Sequence, residues 1–217
     1  MDVSRMASAF LALLCCAAAF AQTGASADRA GALKGLTAQE AARRADAVIW
    51  IANNGQPADE ALLRKRLTDD NPFVRGLAEQ GVWMLWGRSG DDKIDALMAQ
   101  GVEQMEMGNL DDAIAIFSEV IKRKPAFAEG WNKRATVLFL AGDYKRSLAD
   151  CDQVMKRNPS HFGALAGYGQ IYFRLEQYEK AISYWKRALE VNPNMTGVED
   201  GIEAAEKRLA ARRGNTT

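Results

Sequence analysis

The chain has 217 residues, 48% of them hydrophobic and 26% charged, which is enough for one or two domains with a buried core. Lys plus Arg and Asp plus Glu both total 28, so no field of either sign is available to gather nucleic acid or an anionic membrane surface. The chain opens with Arg5, an apolar run from Met6 to Phe20, and Ala19-Phe20-Ala21 before Gln22, the layout of a secretory signal with an A-x-A cleavage site. At about 15 residues the run is short of the roughly 20 that span a bilayer. The segment 1–21 is therefore expected to be removed near Ala21, leaving a periplasmic or secreted protein with no stable membrane insertion. Cys15 and Cys16 follow Leu14 and Cys15 instead of a small residue, which speaks against a lipidated cysteine. Once 1–21 is removed, Cys151 is the one remaining thiol, so no intramolecular disulfide can form.

Residues 22–35 are rich in Ala, Gly, Ser and Thr without apolar periodicity and read as a flexible leader. A helical region over 36–90 follows. Thr37 and Glu40 are spaced as a capping box, and Ala41, Ala45, Val48, Ile49 and Ala52 make a helical stripe that stops at Asn53-Asn54-Gly55. A second helix is predicted from Pro57, with Ala58, Ala61, Leu62 and Leu67 facing inward. A third is predicted from Asn71-Pro72, with Val74, Leu77, Ala78, Val82, Leu85 and Trp86 on its inner face. The last two, joined by Asp69-Asp70-Asn71-Pro72-Phe73-Val74-Arg75, resemble a HEAT-type helical repeat.

Beyond Asp92 the chain repeats itself. Pro125, Pro159 and Pro193 recur every 34 residues. At that period Leu97, Trp131 and Leu165 align, as do Gly101, Ala135 and Gly169, and Gln104, Leu138 and Tyr172. Ala113, Ser147 and Ala181 align in the second half of each unit, followed by Phe117, Cys151 and Trp185, then Val120, Val154 and Ala188. Small residues at two sites let paired helices approach, and the large residue fills what remains. Gly108-Asn109 and Gly142-Asp143 supply left-handed turns between the helices, whereas the third unit has Glu176-Gln177 there. Gln100, Gln104 and Arg134 stand where apolar residues would pack. Thr196, Glu199 and the stripe Val198, Ile202, Ala205 and Leu209 predict a capping helix, which with its tail takes up 194–217.

The period and the aligned sites resemble the tetratricopeptide repeat family over 91–193, with units 91–124, 125–158 and 159–192. The resemblance implies an all-α solenoid of three helical hairpins whose first helices line a concave trough. It places Asp95, Met98, Val102 and Met105 there, then Glu129, Asn132, Thr136 and Phe139, then Gly163, Ala166, Gln170 and Phe173. Of these, Met98, Val102, Met105, Asn132, Thr136, Phe139, Gln170 and Phe173 are the candidate partner-binding residues, with an adaptable apolar floor and amides able to meet a peptide backbone. Family members that clamp a C-terminal carboxylate do so with lysines and asparagines; the matching sites in the first unit are Met98 and Val102, which cannot.

Chemistry is sparse elsewhere. His161, the single histidine, follows Pro159-Ser160 and reads as an exposed turn residue. Cys151, aligned with Phe117 and Trp185, reads as a buried thiol. Arg64-Lys65-Arg66 reads as a solvated helix face, and Trp83 and Trp86 as packing between the N-terminal helices and the repeats. No phosphate loop, nucleophile elbow or metal-ligand spacing is present. The expectation is a non-catalytic scaffold in the cell envelope that needs no cofactor and binds a protein or peptide in the trough. The competing readings are a self-contained protein whose N-terminal helices fill the trough, self-association into a homo-oligomer through an exposed repeat face, and, least favoured, an enzyme with its site in a cleft between the N-terminal helices and the array.

Overall fold

The computed structural model describes residues 28–214, and all regular structure in that span is helical. The candidate signal segment and the leader up to residue 27 lie outside the described residues. Four helices form the N-terminal unit: α1 (Arg29–Gly35), α2 (Ala41–Asn54), α3 (Glu60–Arg64) and α4 (Pro72–Gly87). Three hairpins follow, α5 (Asp92–Glu106) with α6 (Leu110–Arg123), α7 (Ala128–Leu140) with α8 (Tyr144–Arg157), and α9 (Phe162–Arg174) with α10 (Tyr178–Val191). Helix α11 (Thr196–Gly214) closes the array against α10.

The first and third hairpins share one packing device. A Cβ on Gly101 would lie 2.6 Å from Cε1 of Phe117, and a Cβ on Gly169 would lie 2.3 Å from Cδ1 of Trp185, distances that no side chain tolerates. The small residue on the first helix and the large one on the second are therefore one unit of fit, and both rings are buried. Burying such a ring stabilises by about 1.5–3 kcal/mol. Between hairpins the cores interlock. Phe117 and Val120 meet Phe127 and Val137; Ala135 and Cys151 meet Tyr168 and Ile171; Trp185 and Ala188 meet Val198 and Ala205.

Helices α5, α7 and α9 all end in the same left-handed turn. Gly108 has φ +79°, Gly142 φ +78° and Glu176 φ +58°. Asn109, Asp143 and Gln177 each donate their N–H to the carbonyl five residues back, on Gln104, Leu138 and Tyr172. The third turn thus keeps the geometry without glycine. Arg212 of α11 supports it, donating to the Glu176 carbonyl at 3.0 Å and to its carboxylate. Arg134, polar at an apolar register position, is held bidentately by Asp150 at 2.7 and 2.8 Å, donates to Ser118 Oγ at 2.9 Å, and lies over the Trp131 ring. Gln100 is exposed and demands no apolar partner.

The N-terminal unit departs from expectation in four places. Residues 29–35 form a helix rather than a flexible leader, with Ala32 fully buried and Arg29 joined to Asp59 at 2.6 and 2.7 Å. No Thr37–Glu40 capping box forms, because Thr37 turns back to the Lys34 carbonyl and Glu40 caps α2 without a side-chain bond. Ile51 is buried in α2 while Ile49 is exposed, so the stripe runs through Ala45, Val48, Ile51 and Ala52. The second helix is broken into a 3-10 turn over Pro57–Asp59, the short α3 and further turns; Leu63 and Leu67 are its buried anchors and Ala58 is exposed. Helix α4 matches its prediction, with the Asn71 side chain accepting from the N–H groups of Phe73 and Val74. Buried Arg44 ties the unit together, bonding Asp69 bidentately at 2.8 Å, Asp70, and the carbonyls of Ala38 and Gln39.

Candidate functional site: a half-closed trough

The first helices of the hairpins, α5, α7 and α9, present their aligned residues toward one side, but the N-terminal unit covers part of it. Helix α4 lies against the start of α9. Trp83 packs edge-on to Trp86, Phe162 and His161 with ring centroids 5.2, 5.1 and 5.5 Å apart, and Trp86 stacks on His161 at 4.2 Å. Gly163 admits this approach: a Cβ there would lie 2.3 Å from Cη2 of Trp83. Phe162, Val191 and Met195 of the repeat region accordingly share a core with α2, α3 and α4.

His161 is therefore not an exposed turn residue; it is fully buried. Its Nδ1 accepts the N–H of Ala164 at 3.1 Å, capping α9, which leaves Nε2 to donate to Glu129 at 3.0 Å. This fixes the neutral Nε2–H tautomer. Burial raises the Glu129 carboxyl, but Lys133, His161 and Asn132 outweigh burial and hold it below its ordinary value. Sequence reasoning missed this network because its covering residues, Trp83 and Trp86, lie some 75 positions earlier in the chain.

The trough residues divide accordingly. At the entrance half, Met98, Glu129, Asn132 and Ala166 are buried, and the Asn132 amide is engaged by Glu129 at 3.2 Å. Met98 belongs to the core shared by the first two hairpins. Asp95 accepts the Ser89 N–H at 3.0 Å. In the other half, one helical turn further along each helix, Thr136 and Gln170 are exposed and Val102, Met105, Phe139 and Phe173 are half-buried. Phe139 leans on Tyr144 and Phe173 on Tyr178 and Trp185, so both rings are held in place from behind. Six of the eight candidates are thus exposed or half-buried, and Met98 and Asn132 are buried.

Among the described residues no three His, Cys, Asp or Glu side chains are grouped to hold a metal ion, and no helix is long and apolar enough to cross a membrane. Burial and the flanking Asp150 and Asp152 push the Cys151 thiol up to about 12. A depression of about 420 Å³ beside Arg44, Lys65, Arg66 and Thr68 is also lined by Asp69 and Asp70, which engage Arg44.

Comparison with known proteins finds several similar chains. A TPR repeat-containing protein of Rhizobium etli is 31% identical over 128 residues, covering 59% of this chain and 63% of its own length. The Hsp70-Hsp90 organizing protein 2 of Arabidopsis thaliana is 26% identical over 125 residues, covering 54% of this chain and 22% of itself. The chain thus spans less than two thirds of either relative. Among solved structures, the first TPR of Spaghetti bound to an HSP90 peptide superposes with a TM-score of 0.53 at 24% identity, over 55% of this chain and 94% of that one. The Sgt2 TPR domain from Aspergillus fumigatus gives 0.55 at 20% identity, over 58% and 85%. These structural likenesses establish the solenoid fold. Tetratricopeptide repeat family models match residues 98–154 and 165–195 of this chain.

Proposed function

We propose that the protein is a non-catalytic adaptor that holds a segment of a partner protein in the open half of the trough. The observation that carries this reading is the strip formed by Val102, Met105, Thr136, Phe139, Gln170 and Phe173, which stays accessible although α4 covers the adjoining half. Methionine and phenylalanine offer a deformable apolar floor, while the Thr136 and Gln170 side chains can meet a backbone. Relatives named for Hsp70 and Hsp90, and a neighbour holding an HSP90 peptide, support a peptide-sized ligand. A carboxylate clamp is not part of this proposal, since its matching sites here are buried Met98 and aliphatic Val102.

The test places a photo-crosslinking residue at Thr136, at Gln170, or at exposed Lys186 on α10, in the full chain in its native cells. One partner adduct at both trough positions and none at Lys186 is the expected pattern. No adduct at either trough position would favour the second reading, in which α4 is the trough's only occupant and the protein is self-contained; the Trp83, Trp86 and His161 interlock is the observation behind it. We also propose export, supported by the signal-like segment 1–21. N-terminal sequencing of the mature protein should begin at Gln22, and an intact Met1 would overturn it.

A further inference from the structure

The open strip carries a polarity. Residues three and four apart share a helix face, so the face that presents Val102 and Met105 also presents Glu106. One period on, the same face presents Thr136, Phe139 and Leu140, and then Gln170, Phe173 and Arg174. Across the three hairpins the last register column thus reads acid, leucine, arginine. All three residues are exposed, Leu140 at 42%. The surroundings reinforce the gradient: 91–124 carries a net charge of −4, whereas 125–158 carries +2 and 159–192 carries +1. Exposed apolar side chains continue the strip at the hairpin tips, Met107 at 62% and Leu175 at 39%.

From this juxtaposition we infer that the trough selects an apolar segment bearing a basic side chain at the end over the first hairpin and an acidic side chain at the end over the third. The inference rests on the adaptor reading above and adds the chemistry of the ligand to it. The middle of the segment lies over Thr136, Phe139 and Leu140 and contributes apolar contact. The ends contribute selection, because charges at an exposed rim discriminate between partners more than they add affinity. A ligand with two acidic ends meets Glu106 and the acidic first hairpin; one with two basic ends meets Arg174.

Three fluorescent peptides with the same Leu/Phe-rich middle and with acetylated and amidated termini test this by anisotropy against the full chain: Lys at one end and Glu at the other, Lys at both, and Glu at both. The mixed peptide is expected to bind about fivefold more tightly than either of the others, the scale of one exposed pair turned from attraction to repulsion. Glu106→Arg should move the preference to the peptide with two Glu, and Arg174→Glu to the peptide with two Lys. Equal binding of all three, weakened by Phe139→Glu and by Thr136→Glu, would overturn the charge inference and leave the trough reading intact. Thr136 is exposed, so its variant guards against a folding defect at Phe139. Failure of every peptide to bind, or binding that neither variant weakens, would overturn both. A fourth peptide, with a free carboxyl terminus replacing the Glu side chain, should bind no better than the mixed one; tighter binding would assign Arg174 to a chain terminus and overturn the side-chain assignment.

Discussion

Two glycines on α9 make opposite predictions for the same substitution. In a helix interior Gly→Ala ordinarily stabilises by about 1 kcal/mol, because the alanine backbone has less freedom to lose. Gly167→Ala can realise that gain: a Cβ there meets nothing closer than Cys151 Sγ at 3.8 Å, an ordinary contact. Gly163→Ala would place its Cβ 2.3 Å from Cη2 of Trp83, whose ring is held between Trp86 and Phe162 and cannot swing away without breaking both contacts. Overpacking of this kind costs about 1–3 kcal/mol, which equals or exceeds the propensity gain. Urea unfolding followed by circular dichroism at 222 nm should therefore rank Gly167→Ala above wild type and Gly163→Ala at or below it. In a Trp83→Ala background the penalty at Gly163 should vanish, giving a coupling energy of at least about 1 kcal/mol in the double-mutant cycle. If Gly163→Ala proves as stabilising as Gly167→Ala with Trp83 present, α4 does not rest on the start of α9 and the half-closed trough is wrong.

Glu176→Gly relieves a left-handed residue, a conformation costing about 1–2 kcal/mol for residues with a Cβ; it should raise stability in the same assay by somewhat less, since the Arg212 bond to the Glu176 carboxylate goes with it. Burial raises the Asp69 carboxyl, but the bidentate Arg44 bond and the Asn71 N–H hold it at about 2. A carboxyl lowered by folding contributes stability that is complete above its unfolded value near 3.9 and lost as pH falls toward 2. The urea midpoint should therefore drop between pH 4 and pH 2, and Asp69→Asn should flatten that slope. His161→Ala removes the cap from Ala164 and leaves Glu129 buried with one donor fewer, so a loss of about 2–3 kcal/mol is expected in urea unfolding. Cys151 should resist an aromatic disulfide reagent in the native protein and react within minutes in denaturant; fast native labelling would contradict its burial.

What could be read from the sequence was what the 34-residue period repeats. Gly101 with Phe117 and Gly169 with Trp185 were legible as matched pairs because a small residue on the first helix recurs against a large one on the second at the same register. Three things were hidden, each set by contacts between distant segments. His161 follows a proline in what looks like a surface turn, and it is buried by tryptophans of α4. Helix α1 has weak periodicity, and it is anchored by an ion pair from Arg29 to Asp59. Glu176 lacks the glycine that announces a left-handed turn, and the turn is completed by Arg212, 36 residues later. The burial of Glu129 and His161 beneath Trp83 and Trp86 followed from the docking of α4, which no local pattern encodes.

Asn194, just after the third hairpin, accepts from the Arg75 guanidinium at 3.0 Å and donates to the Leu67 carbonyl at 2.8 Å. In an open solenoid each unit touches only its neighbours, so unfolding can start at an end and run inward. Here the N-terminal unit, at Leu67 and Arg75, is fastened to the segment that joins α10 to α11, so the third hairpin is held from two sides. Removing the N-terminal unit should change the character of melting and not only its midpoint, from a single all-or-none step to a gradual loss that begins at an end of the array.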